Sequence, residues 1–245
     1  MSYTIGVAGK GGTGKTTLAS VVIRYLAKQK NGPVLAIDAD PNSNLGEMLG
    51  LKAEETMVGI IDDISANIDK IPSGVTKERL IETRVQQSLG EGEGFDLLVM
   101  GRPEGPGCYC YVNNVLRNIV GKLIKEYDYV VIDNEAGLEH LSRRTSREAD
   151  ALIVVSDATA AGMRTANRLY DLVKELKIKT KKNFLVINRS KIKPGGLTPG
   201  LDYLGNIAQD KDIENFSLNG HSLLDLKDNS QALQAVRILG DRIWH

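Results

Sequence analysis

Short runs of apolar, often β-branched residues recur along the chain. They lie at Tyr3 to Ala8 (YTIGVA), Val34 to Ile37 (VLAI), Asp96 to Met100 (DLLVM), Tyr129 to Ile132 (YVVI), Ala151 to Val155 (ALIVV) and Asn183 to Ile187 (NFLVI). These runs are nearly continuous rather than alternating, which predicts strands buried on both faces. Between them, Thr16 to Lys28, Val112 to Glu126 and Gly162 to Leu176 carry apolar residues at helical spacing. Strands alternating with helices predict an α/β fold, a mostly parallel sheet covered by helices on both faces. Near the end, Gln231 to Trp244 places Ala232, Val236, Leu239 and Ile243 on one face, as expected of a helix packed on that sheet. No internal repeat, low-complexity tract or long linker interrupts the pattern, so residues 1–245 are expected to form a single domain.

The first strand and the first helix enclose GKGGTGKT, Gly9 to Thr16, a P-loop in the context that the motif requires. Its glycines Gly9, Gly11, Gly12 and Gly14 let backbone amides approach a phosphate closely. The helix start adds a favourable field for the anion. Lys15 is placed to meet the β and γ phosphates, and the Thr16 hydroxyl to ligate Mg²⁺. The expected nucleotide-binding set is therefore Gly11, Gly12, Thr13, Gly14, Lys15, Thr16 and Thr17, with ATP or ADP as ligand.

Two further strand ends carry acids. VLAI runs into Asp38-Ala39-Asp40-Pro41-Asn42, and YVVI into Asp133-Asn134-Glu135-Ala136-Gly137. Ligands of a parallel sheet collect at the carboxyl ends of its strands, so both clusters are expected to face the P-loop. Asp133, ending an apolar strand, fits a Walker B acid; with Asp38 and Thr16 it makes the expected magnesium set. Asp40 is the candidate for positioning the attacking water.

Charge and cysteine content narrow the partners. With 31 basic and 31 acidic residues the chain has no net charge to draw it onto nucleic acid or an acidic membrane. No segment approaches membrane-spanning length, and no signal peptide is expected ahead of the first strand. Two cysteines give no disulfide framework, and the expected location is the cytoplasm.

The P-loop contains a second lysine, Lys10, ahead of Lys15. Lys10 in KGGTGKT, the DADPN segment and the DNEAG segment together resemble the deviant Walker A ATPases, the class of MinD, ParA and the nitrogenase iron protein. That resemblance implies that Lys10 crosses a two-fold dimer to the partner's phosphates and joins Lys15 and Asp40 in catalysis. It also implies that Asn188, in VINRS, reads the adenine. Glu135 stands where MinD has proline, which narrows the subfamily.

Cys108 and Cys110 narrow it further. A Cys-x-Cys pair closes too small and strained a ring for a disulfide, and two thiolates supply half of a four-coordinate metal site. A symmetric dimer would supply the other half. The structural alternative is a pair of small buried hydrophobes. GRPEGPGCYCYVNN and DNEAGLEHLSRR resemble the nickel-insertion accessory ATPases CooC and AcsF, which serve carbon monoxide dehydrogenase and acetyl-CoA synthase. The resemblance implies Cys108 and Cys110 as metal ligands, Ni²⁺ as cargo with Zn²⁺ as a stand-in in vitro, a homodimer formed on ATP or metal binding, and one of those two enzymes as client. A rival from the same class is an electron-transfer ATPase, with the four cysteines holding an iron–sulfur cluster between subunits. His140 and Asp210 receive no role at this level.

Overall fold

The computed structural model describes residues 2–29, 32–102, 110–135, 138 and 148–244. The strands are β1 (Tyr3–Gly9), β2 (Val34–Ala39), β3 (Gly90–Gly92), β4 (Phe95–Val99), β5 (Tyr129–Asn134), β6 (Glu148–Ser156), β7 (Lys179–Asn188) and β8 (Asp202–Ile207). They form one sheet in the order β3, β4, β2, β5, β1, β6, β7, β8. Every neighbouring pair is parallel except β3 with β4. The strand that leads into the P-loop thus lies inside the sheet, between β5 and β6.

Successive side chains of a strand point to opposite faces, and here both faces are covered. Leu35, Ile37, Val130, Ile132, Leu152, Val154, Leu185 and Ile187 pack into one apolar layer. Their neighbours Val34, Ala36, Val131, Ile153, Val155, Phe184 and Val186 pack into the other. That division explains why the strands read as continuous apolar runs.

Helices α1 (Lys15–Gln29) and α2 (Asn44–Met48) cover the second layer. The first is covered by α3 (Met57–Ala66), α4 (Lys77–Gln87), α5 (Cys110–Leu123) and α6 (Ala160–Glu175). The face of α1 also carries α8 (Gln231–Ile243), which follows α7 (Lys211–Asn219). Helix α8 starts at Ser230, whose hydroxyl accepts from the Leu233 amide, and buries Ala232, Leu233, Val236, Leu239 and Ile243. Each fully buried Leu, Ile or Val side chain contributes about 1.5–3 kcal/mol.

A buried cation holds α1 to the chain before α8. Arg24 is only 3% exposed and donates through Nε to the Leu224 carbonyl at 2.9 Å and through Nη2 to that of Leu226. Its remaining partner, Asp228 at 3.0 Å, stands in solvent.

The segments β3, β8, α2, α3, α4 and α7 are not marked in the hydrophobic pattern. β3 is Gly-Glu-Gly, with nothing apolar to reveal it, and β8 is an edge strand that mixes polar with apolar residues. Helix α3 does carry Met57, Ile60, Ile61 and Ile64 at helical spacing after the Thr56 cap, but over only three turns. Among the described residues, no helix is long and apolar enough to cross a membrane.

Candidate functional site

Because β1, β2, β5, β6 and β7 are parallel, their carboxyl ends meet at one edge of the sheet, and the chemistry-bearing loops leave from there. From β1 the chain enters a tight turn in which the Thr13 amide and hydroxyl both donate to the Lys10 carbonyl, at 3.3 and 2.8 Å. Two glycines are dictated by this packing. A Cβ on Gly9 would strike the Val155 carbonyl of β6, and one on Gly14, whose φ is +89°, would strike the Asn188 side-chain amide. Gly11 has no such neighbour, so its role is not steric toward this chain. Lys15 is buried at the start of α1, and Lys10 is exposed.

Asp38 of β2 and Asp133 of β5 are cross-strand partners, and Val7 of β1 pairs with Asp133 from the other side. Both carboxyl groups are fully buried. Asp38 accepts the Asp40 amide at 3.1 Å and the Leu45 amide at 2.9 Å, one on each oxygen. Burial pushes it up to about 6 in spite of these bonds. Asp133 is pushed up to about 7, by burial first and then by the charge of Asp38, against the pull of Thr16 and Lys15. The Thr16 hydroxyl is near enough to act on it, yet neither Asp133 oxygen makes a hydrogen bond of ordinary geometry.

A buried carboxylate with two open acceptors beside Thr16 and Lys15 is a donor set that suits Mg²⁺ and its waters. Asp38, already engaged by two backbone amides, holds the loop that follows β2. Asp40 accepts both the amide and the side-chain nitrogen of Asn42 on Oδ1, each at 2.9 Å, which leaves Oδ2 for a water. Asp157, just past β6, is a carboxylate at this edge that the motifs do not single out. The Thr159 hydroxyl and amide hold it below its ordinary range, with the Lys10 charge adding to the effect. A signal for it does exist, an acid directly after the apolar run ALIVVS.

A cavity of about 450 Å³ opens between α1, the ends of β7 and β8, α7 and α8, with Thr17, Asn188, Arg189 and Asp210 among its lining residues. Its volume is in the range of small-ligand sites. Asn188 lines the cavity, and its Nδ2 donates to the Thr13 carbonyl at 2.8 Å while its Oδ1 accepts the Arg189 amide at 3.0 Å. One N–H and one lone pair remain for a base. Asp210 has a structural occupation: it accepts the Asp212 amide at the start of α7, and the Ser230 hydroxyl and Ala232 amide at the start of α8, at 2.9, 3.0 and 3.0 Å.

Cys108 and His140 lie outside the described residues, as do Ala136 and Gly137. Cys110 opens α5, with its backbone alone described. Among the described residues no group of three or more His, Cys, Asp or Glu side chains is arranged to hold a metal ion. The strand leading to the cysteines is well anchored: the Met100 amide donates to the Asp38 carbonyl at 2.9 Å, and the Met100 carbonyl accepts the Val58 amide at 3.0 Å.

Known proteins resemble this chain in sequence and in fold. The family AAA_31, described as an AAA domain, matches residues 3–186. An uncharacterised ATP-binding protein of Methanocaldococcus jannaschii is 42% identical across 98% of this chain and 97% of its own. The carbon monoxide dehydrogenase accessory protein CooC of Rhodospirillum rubrum is 29% identical across 95% of each. The cell division ATPase MinD of Pyrococcus furiosus, at 19% identity, matches the fold with a TM-score of 0.70 over 99% of this chain and 98% of its own. A ParA family ATPase from Chlorobium tepidum does so at 0.67 and 21% identity, over 100% and 98%. The chain therefore belongs to the AAA_31 family, as an ATP-binding P-loop protein with the fold of MinD and ParA and a sequence similar to that of CooC.

Proposed function

We propose that this protein is an ATP-hydrolysing metallochaperone that works as a homodimer. Two copies close on ATP, hold one metal ion between their Cys108 and Cys110 pairs, and deliver it to a client enzyme. The observation that carries the reading is the pairing of a P-loop with a Cys-x-Cys motif on the connection that leaves β4, a strand paired to β2 and tied through Met100 to Asp38. The similarity to CooC, a carbon monoxide dehydrogenase accessory protein, supports carbon monoxide dehydrogenase as a client, and the resemblance of the cysteine and DNEAG segments to the nickel-insertion ATPases implies nickel as the cargo, with acetyl-CoA synthase as the other candidate client.

In this reading Lys15 and the loop amides cradle the β and γ phosphates, and Thr16 and Asp133, with Asp38 behind them, would hold Mg²⁺, which would supply charge neutralisation at the γ-phosphate. Asp40 orients the water through its open oxygen, and Lys10 reaches the partner's phosphates. Hydrolysis to ADP and phosphate removes the γ-phosphate contacts that join the copies. A nucleotide shifts such a balance only through different affinities for the two states, so metal or client binding must differ between the ATP and ADP forms.

The test is metal content and solution mass of anaerobically purified protein with ATP or ADP. One ion per dimer, lost in Cys108→Ser with Cys110→Ser, is the expected result. Metal retained by the double variant, or equal metal and client binding with both nucleotides, would overturn the proposal. A brown protein with iron, sulfide and a broad absorption band at roughly 400 nm would favour a cluster-bearing electron-transfer ATPase instead.

A further inference from the structure

Asn134 closes β5 directly after Asp133, and its polar side chain is fully buried. Strand alternation turns it to the face opposite Asp133, into the apolar layer that holds Val130 and Ile132. Its cross-strand neighbour there is Ala39 of β2. The amide uses its N–H groups on backbone: Nδ2 donates to the Val7 carbonyl of β1 at 3.1 Å and to the Ile132 carbonyl at 3.3 Å. Its Oδ1 is buried with no partner. An apolar residue would pack this layer without the penalty of an open, buried acceptor, so the donor half of the side chain carries the reason for an amide here.

What that donor does follows from where the ladder ends. Backbone pairing of β1 with β5 runs to Val7 and Asp133, while β1 continues beside β6 to Gly9 and Val155. The Asn134 side chain thus carries the tie between β5 and the strand that feeds the P-loop one residue further. Val7 is itself the cross-strand partner of Asp133, so the bond pins β5 at the carboxylate whose two oxygens stand open. We infer that Asn134 is a positioning residue for the magnesium acid: its amide fixes the end of β5 against β1 and so holds Asp133 in place beside Thr16. In this role it touches neither metal nor nucleotide. The inference deepens the reading of Asp133 as a Mg²⁺ ligand and rests on it.

The experiment titrates ATP into the full chain by calorimetry, once with Mg²⁺ and once with EDTA, and follows hydrolysis beside it. Asn134→Leu keeps the bulk but not the donor, and Asn134→Ala is no larger than Ala39 beside it. In each, the strengthening of ATP binding by Mg²⁺ is expected to shrink by about tenfold and kcat to fall by about tenfold, since small displacements of a positioned group are costly. Affinity in EDTA is expected to stay within about twofold, because β6 and the Thr13 bonds still hold the P-loop. Added to Asp133→Asn, Asn134→Leu is expected to change kcat by less than about twofold, as for a residue that acts through that carboxylate. Equal losses in Mg²⁺ and in EDTA would make Asn134 part of the P-loop frame and overturn the inference, as would a full further loss in the double variant or wild-type behaviour in both single ones. Wild-type ATP binding that Mg²⁺ does not strengthen, or strengthening kept by Asp133→Asn, would overturn the parent reading of Asp133 instead.

Discussion

Asp38 and Asp133 face each other across neighbouring parallel strands, in register, both fully buried and both raised above the ordinary carboxylate value of 3.8. The folded chain therefore keeps these protons to about pH 6 and about pH 7, while the unfolded chain releases them near 3.8. Between those limits the native state binds more protons, so stability of the nucleotide-free protein falls as pH rises from about 4 to about 7 and levels off above. Mg²⁺ selects the ionised form. The thermal shift produced by Mg²⁺-ATP is expected to be larger at pH 8 than at pH 6; an equal shift at both would count against Asp133 as the magnesium acid.

Asp133→Asn separates stability from ligand binding. It removes a buried charge whose oxygens lack hydrogen bonds of ordinary geometry, so the nucleotide-free variant is expected to melt at or above the wild-type temperature at pH 8. Relief of that buried charge should add on the order of 1 kcal/mol to unfolding stability. ATP hydrolysis is expected to drop by about a hundredfold or more as the metal site loses its acid. A lower melting point without nucleotide would mean that the carboxylate is structurally required.

Lys10 is exposed, with the carboxylate of Asp157 close enough to feel its charge. Lys10→Ala should leave the melting temperature nearly unchanged, as for most exposed substitutions. It should abolish the ATP-dependent rise in mass that the proposed dimer would give in light scattering. An ATP-bound dimer surviving in the variant would show that this lysine does not bridge subunits.

Arg24 tests the frame behind the site. Its bonds to the Leu224 and Leu226 carbonyls are buried, and Arg24→Met would strand those acceptors at a cost of about 2–4 kcal/mol in denaturant unfolding. Asp228→Asn should cost less than about 1 kcal/mol, because that carboxylate is 87% exposed. Equal losses would mean that the ion pair, rather than the carbonyl contacts, fixes α1.

Asp210 joins α7 to α8. Burial alone would raise its carboxyl group, but the Ala232, Ser230 and Asp212 donors outweigh that and hold it below its ordinary value. Its contribution is accordingly present above pH 3.8 and lost as pH falls through the lower folded value. Asp210→Ala should destabilise the chain by about 1–3 kcal/mol through two lost caps. It should also weaken ATP, because Asp210 shapes the cavity. Full stability in the variant would leave the double-cap account without support.

The P-loop, the six strands of the parallel core and the acids at their ends were legible because each has a local pattern. A strand covered on both faces must be apolar throughout, and a phosphate turn must carry its glycines in order. The remainder depends on neighbours distant in sequence. Nothing near Asn188 announces that its amide lies on the Thr13 carbonyl, and nothing near Asp210 announces that its carboxylate meets Ser230 and Ala232. Asp38 and Asp133 look alike in the sequence; only the loop folded over Asp38 separates an acid that holds backbone from one with open acceptors. β8 is obscured because, at the sheet edge, it mixes exposed and half-buried polar residues with its buried apolar ones.

The hydrogen bond from Met100 to the Asp38 carbonyl has a consequence for timing. A parallel ladder offers little slack, and Met100 stands eight positions before Cys108. If β2 shifts when the γ-phosphate leaves, the approach to the cysteines shifts in the same motion rather than after a separate search. Phosphate release and loss of metal should then share one rate constant in a stopped-flow record, with no lag between them.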